Sequence, residues 1–161
     1  MADASGAPPP PHRPCAVSVE AVTEITDELV EGIAHLIPQL SSSAEAPSAA
    51  ELGAIVASAG STLFVSRLDA GDRPVVGTLT LVIYRIPTGL HAVIEDVVVD
   101  ESARGAGAGS ALMAAALEAA RGAGVRNVDL TSRPTREAAN RLYTRMGFEV
   151  RETNVYRYRE T

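Results

Sequence analysis

The sequence predicts an α/β (α+β) domain: a mixed, mostly antiparallel sheet of six to seven strands with a central parallel pair, flanked by about four helices. Three observations carry that expectation. Strand-like stretches at 62–68, 75–86 and 91–99 are joined by connections short enough to require antiparallel pairing. A single helical pattern separates the strand at 91–99 from the next at 125–131, and such a crossover joins parallel neighbours. The other helical patterns do not alternate with strands, so the chain lacks the strict succession of a doubly wound sheet.

Each element has its own signals. Ala16–Val22 alternates apolar and polar residues and reads as the first strand. Thr26-Asp-Glu caps a helix through Ile37, which places Leu29, Val30, Ile33, Leu36 and Ile37 on one side and ends at Pro38 and the serines 41–43. Ser48-Ala-Ala-Glu51 is a capping-box pattern opening a second helix that ends near Gly60. The turn Asp69-Ala-Gly-Asp-Arg-Pro74 joins the second and third strands, and Pro87-Thr-Gly leads into the fourth. A third helix covers 109–121, with Gly122 or Gly124 as its stop. Thr135–Met146 is a short fourth helix closed by Gly147, and 148–152 and 155–159 read as terminal strands.

Composition limits the class of protein. The 161 residues make one ordinary domain, 15–161, after a Pro-rich disordered tail at 1–14. No apolar run reaches the ~18–20 residues that cross a bilayer, which points away from a membrane protein, and the tail lacks the apolar core of a signal peptide. Cys15 is the only cysteine, so neither an intramolecular disulfide nor a metal cluster is expected, and a cytoplasmic location is the default. The net charge of −6 argues against general nucleic-acid binding. Residues 1–103 hold 14 Asp/Glu and 4 Arg, giving −10, whereas 104–161 hold 6 Asp/Glu and 10 Arg, giving +4. That division suits an anionic ligand on the C-terminal half, or it is the chance distribution of a solvated surface.

The positive half begins at Val99-Asp-Glu-Ser-Ala-Arg-Gly-Ala-Gly-Ala-Gly-Ser-Ala-Leu112, where a strand runs through a glycine-rich turn into an alanine-rich helix. Free N–H groups and about half a positive charge at a helix N-terminus make a seat for phosphate. A P-loop ends in Gly-Lys-Ser/Thr, and this chain contains no lysine. A dinucleotide fingerprint would need a glycine where Ser110 stands. A tight turn with nothing bound would need only one or two of these glycines.

The element order together with Arg104-Gly-Ala-Gly107-Ala-Gly109 resembles the GCN5-related N-acetyltransferase (GNAT) superfamily, whose signature is Gln/Arg-x-x-Gly-x-Gly/Ala. A second match is Ala138-Ala-Asn-Arg-Leu-Tyr-Thr-Arg-Met-Gly-Phe148, similar to the family's A-x-x-L-Y-x-x-x-G-F, and Ile94-Glu-Asp-Val-Val-Val-Asp100 is typical of the preceding strand. The resemblance covers about residues 16–159 and implies the GNAT fold, with acetyl-CoA as acetyl donor and no metal. It implies that Arg104, Gly105, Ala106, Gly107, Ala108, Gly109 and Ser110 hold the pyrophosphate. The same resemblance gives Val97, Val98 and Val99 a bulged strand against which the pantetheine arm pairs, the N–H of Val98 facing the thioester oxygen. Tyr143 then protonates the departing thiolate, or else is a half-buried tyrosine packing on one helix face.

The general base is Glu95, Asp96 or ordered water. Adjacent on a strand, the two carboxylates point to opposite faces, so only one meets the substrate; each can instead be a charge paired with an arginine. Relatives with a glutamate on the fifth strand place it near Thr131, which cannot act as a base. His91 is a weaker candidate, and His35, within a helix, is expected to pack. Asn140 shares a helix face with Tyr143 and is a coenzyme contact in some relatives, or a surface residue here. Arg133 and Arg136 border the same helix and can meet the 3′-phosphate. The resulting expectation is direct acetyl transfer to a primary amine of a small molecule or peptide. The alternative is a coenzyme A-binding sensor or structural module without transfer. Family members often form homodimers, and residues 148–159 offer an edge for pairing.

Overall fold

The computed structural model describes residues 16–69 and 71–160; the Pro-rich tail at 1–14 and Cys15 lie outside them. Five strands form one sheet in chain order: β1 (Val17–Ala21), β2 (Ser61–Leu68), β3 (Val75–Ile86), β4 (Gly89–Val99) and β5 (Val128–Leu130). The first four pair antiparallel and β4 pairs β5 parallel, as their connections require. Helices α1 (Asp27–Leu40) and α2 (Ala49–Ala57) lie between β1 and β2, α3 (Ala108–Gly122) crosses from β4 to β5, and α4 (Glu137–Arg145) follows β5.

The period of two along β2 assigns the helices to faces. Leu63 and Val65 join Leu29, Ile33, Leu36 and Leu52 from α1 and α2 in one core. Phe64 points the other way and joins Leu79, Leu81, Ala92 and Ile94 with Leu112, Met113 and Ala116 of α3 and Tyr143 of α4. Among the described residues no helix is long and apolar enough to cross a membrane.

Caps account for most element boundaries. Thr26 accepts the Leu29 N–H at 3.2 Å, and Ser48 and Glu51 complete the predicted capping box. Helix α1 runs through Pro38 to Leu40 instead of ending at Ile37. Near a C-terminus proline removes only one ladder bond, and Ser41 N–H still reaches the Ile37 carbonyl at 2.9 Å.

Helix α3 ends in a Schellman motif: Gly124 at φ +82° donates to Arg121 O and Val125 to Ala120 O, both at 3.0 Å. Val125 therefore belongs to the helix end, and β5 starts later than the predicted 125. The same motif closes α4, with Gly147 donating to Thr144 O and Phe148 to Tyr143 O. Phe148 is thus a helix-terminating residue packed edge-on against Tyr143 at 6.1 Å, not the start of a strand.

The predicted strands at 148–152 and 155–159 are not formed, and among the described residues the sheet has five strands in place of six to seven. The neighbouring edge, β5, offers only three residues of ladder, too few bonds to offset about 1–2 kcal/mol of backbone entropy per ordered residue. Val150 is 99% exposed and Tyr158 88% exposed.

Helix α1 approaches β3 so closely that a Cβ on Gly32 would lie 2.8 Å from Val75 Cβ. Gly32→Ala gains about 1 kcal/mol of helix propensity and meets an overpacking cost of about 1–3 kcal/mol. A thermal melt is expected to show Tm lowered by several degrees; an unchanged or higher Tm would show that α1 can move off β3.

Candidate active site

Strand β4 changes character after Ile94. Up to that point it pairs β3 on one side and β5 on the other, with Ile94 opposite Leu81 and Leu130. Beyond it the β5 ladder stops, and among the described residues no strand pairs that side of β4 from Glu95 to Val99. On the β3 side the register slips: Thr80 faces Glu95, but Thr78 faces Val98. Two residues, Asp96 and Val97, thus oppose Leu79 alone, and Asp96 takes the extra turn at φ +52°. The bulge expected from family resemblance is present. Its cost is about 1 kcal/mol or more for a non-glycine residue in the left-handed region, modest for aspartate.

The bulge removes the regular alternation that the opposite-face argument assumes, because Asp96 is the extra residue and has no ladder partner to fix its face. Glu95 and Asp96 are both exposed, and among the described residues neither pairs with an arginine. Glu95 lies in register with Thr80 and, through it, with Leu63, so it belongs to the α1–α2 face. Desolvation, followed by the neighbouring Asp96 charge, holds its carboxyl above the usual glutamate range.

Past β4 the chain makes a 3₁₀ turn, Glu101–Ala103, and reaches Gly105 and Gly107 at φ +85° and +89°. The first bond of the α3 ladder runs from Ala111 N–H to Gly107 O at 2.9 Å. The N–H groups of Ala108, Gly109 and Ser110 therefore precede the ladder and face outward from the helix end. A Cβ on Gly105 or Gly107 would meet nothing within 4 Å, so the glycines leave open space over these donors. Gly109 is different: its Cβ would lie 3.1 Å from Leu142, which draws α3 against α4.

A cleft of about 860 Å³ joins these parts. Val97, Val98 and Val99 form its floor, the 104–110 loop one end and α4 a wall, with Tyr143 facing in. Tyr143 is 9% exposed. Burial pushes its phenol pKa up, and the nearby Arg136 charge opposes the shift without cancelling it, so the hydroxyl stays protonated at neutral pH. Among the described residues Arg104, Arg136, Arg141 and Arg145 border the cleft with one acid, Glu137; Arg104 pairs with Glu101 and Arg141 with Glu137, and the remaining balance still favours an anionic occupant.

Most of the expected donor-side residues meet here: Val97–Val99, Arg104, Gly105, Gly107, Ala108, Gly109, Ser110 and Tyr143. Five expectations are redirected. The N–H of Val98 faces Thr78 of β3 and not the cleft, because Asp100 N–H bonds Val76 O and the antiparallel ladder alternates from there. Ala106 spends its N–H on Ala103 O at 3.2 Å and does not line the cleft. Asn140 turns its amide to the carbonyls of Arg133 and Pro134, at 3.0 and 3.4 Å, and fixes the turn before α4. His35 does not pack within a core; its exposed ring bonds Asp100 at 2.7 Å. His91 stacks on Tyr84 at 6.0 Å, away from the cleft.

Sequence reasoning did not find Gln39, Arg141 or Arg145 in the lining. The arginines follow the four-residue helical spacing from Glu137, a signal that was available. Gln39 has no local signal, because α1 is brought to the cleft by the sheet.

The family model described as "Acetyltransferase (GNAT) family" matches residues 30–148. An acetyltransferase of Trypanosoma brucei is 29% identical, covers 88% of this chain and 99% of its own, and superposes with a TM-score of 0.70. An aminoglycoside acetyltransferase from an uncultured soil metagenomic sample, solved with sisomicin, is 19% identical at TM-score 0.73, covering 90% and 95%. AAC(6′)-Iy, solved with the bisubstrate analogue CoA-S-monomethyl-acetylneamine, is 18% identical at TM-score 0.70, covering 90% and 99%. These last two likenesses are of fold. No curated protein matches the chain.

Proposed function

Because the chain belongs to the acetyltransferase (GNAT) family, we propose that it moves an acetyl group from acetyl-CoA directly to a primary amine of a small molecule or peptide. The observation that carries this reading is the gap beside β4. Among the described residues the strand past Ile94 has an unpaired backbone edge, with the outward N–H groups of Ala108, Gly109 and Ser110 at one end and a buried, protonated tyrosine on the wall.

The N–H groups of Ala108, Gly109 and Ser110, with the neighbouring arginines, suit the pyrophosphate, and the free edge of Val97–Val99 suits the pantetheine amides. The donor supplies an activated acyl carbon through its thioester. A β4 backbone N–H on the open side of the strand, that of Val97 or Val99 because Val98 turns its N–H toward Thr78 of β3, receives the negative charge that develops on the carbonyl oxygen as the amine lone pair attacks. As the carbon–sulfur bond breaks, Tyr143 gives its proton to the departing sulfur. The surplus proton on the new amide nitrogen leaves to Glu95, directly or through water. Register puts Glu95 on the α1–α2 face and Tyr143 in the α3–α4 core, so base and acid approach from opposite sides of the sheet.

The test is release of free coenzyme A thiol from acetyl-CoA across a panel of amines that includes aminoglycosides and peptide N-termini. Turnover with at least one amine is expected; coenzyme A binding with no turnover across the panel would overturn the transfer reading. The raised Glu95 carboxyl gives a pH prediction as well. A base works when deprotonated, so kcat/KM should fall as pH drops through a value above the ordinary glutamate range near 4.3. Glu95→Gln should lower kcat and abolish that acid limb. A limb unchanged in Glu95→Gln would assign the base elsewhere.

A further inference from the structure

Asp100 ends β4 and is only 8% exposed, yet its carboxylate has donors on two separate elements. Oδ1 accepts the N–H of Ser102, at 2.8 Å, and the Ser102 hydroxyl, both within the loop that opens the glycine cradle. Oδ2 accepts Gln39 Nε2 at 2.9 Å and bonds His35 Nε2 at 2.7 Å, both on the last turns of α1. Gln39 returns a second bond, its Oε1 accepting the Glu101 N–H at 3.0 Å. That pair fixes the amide: only with nitrogen toward the carboxylate and oxygen toward the N–H are both contacts made. From across the cleft, Arg136 donates to the Leu40 carbonyl, so the end of α1 also touches the start of α4.

We infer that Asp100 is a positioning residue that couples the end of α1 to the donor cradle, one oxygen setting the loop and the other holding the Gln39 wall of the cleft. The inference rests on the donor reading above and adds a physical link between the helix on the α1–α2 face and coenzyme A affinity. A loop held by Oδ1 alone would keep its cap, but the cleft would lose a fixed wall and part of the pre-organisation on which affinity depends.

The chemistry of the pair supplies a test by polarity. Asp100→Asn keeps an oxygen for Ser102 but presents an N–H₂ to the Gln39 N–H₂, so the α1 bond is replaced by two opposed donors. Gln39→Glu alone sets two carboxylates against each other. Together, Asp100→Asn and Gln39→Glu restore donor to acceptor, leave the summed charge unchanged and preserve an acceptor for Glu101 N–H.

Titration calorimetry with coenzyme A on the full chain, beside thermal melts, reads the outcome. Each single variant is expected to bind about tenfold more weakly than wild type, the size of a lost hydrogen bond to a charged group, and the double variant to return within about threefold. A merely structural role would follow Tm and would not respond to the polarity swap. Equal affinity in Asp100→Asn and wild type, or a double variant no tighter than the singles, overturns the inference alone. Should Asp100→Asn fail to fold, Gln39→Met serves: several-fold weaker binding supports the link and unchanged affinity overturns it. Wild type that does not bind coenzyme A brings down the donor reading itself, and the inference with it.

Discussion

Tyr143→Phe is expected to lower kcat about 100-fold, the usual worth of a positioned general acid, while the KM for acetyl-CoA stays within about twofold. The substitution removes one oxygen and keeps the ring, so the edge-on contact with Phe148 and the packing against the α3 core survive. Burial raises the phenol pKa despite the opposing Arg136 charge, which keeps the proton available through the neutral range. A thiolate forming in the same desolvated cleft also gains basicity, so the proton has a reason to move as the carbon–sulfur bond opens. Steady-state thiol release at saturating amine, compared with a melt of the same variant, separates chemistry from folding. Turnover near that of wild type would remove Tyr143 from the mechanism and return it to a packing role.

The sequence made visible whatever depends on neighbours along the chain. The capping box at Ser48, the strand at 75–86 and the glycine loop before α3 are local patterns with local causes, and they stand where expected. The errors arise where one residue serves two plans. Val125 and Phe148 are apolar, follow a glycine and read as strand starts, but each supplies the sixth residue of a Schellman motif. Once Phe148 is committed to the end of α4, the remaining tail faces an edge of three residues and does not pair.

Inside the site the same division holds. The cradle is a run of small residues and can be read directly. The turn at Asp96 cannot, because nothing in Ile94-Glu-Asp-Val marks an aspartate at φ +52°. The slip between β3 and β4 forces that conformation from outside the segment. Gln39 is likewise invisible, since its partners Asp100 and Glu101 lie 61 and 62 positions away.

Gly107→Val should weaken acetyl-CoA binding by about 100-fold or more, and the reason can be isolated. Gly107 caps α3 at φ +89°, ψ 2°, with open space where a Cβ would stand. A β-branched residue there costs about 1–2 kcal/mol of backbone strain, and its methyls fill the approach to the Ala108–Ser110 N–H groups. Losing two charge-assisted hydrogen bonds to phosphate, at roughly 1.5 kcal/mol or more each, accounts for the factor. Strain by itself does not. Gly124 has a matching φ of +82° and equal open space at the opposite end of the same helix. Gly124→Val should therefore lower Tm by a similar several degrees and leave coenzyme A affinity unchanged. If calorimetry finds both variants equally weakened, the loss comes from a disturbed α3 and not from a blocked cradle, and the phosphate seat must be placed elsewhere in the cleft. If only Gly107→Val loses affinity, its open space and outward N–H groups are the contact surface, and the glycines at 105 and 107 serve ligand approach as well as the turn.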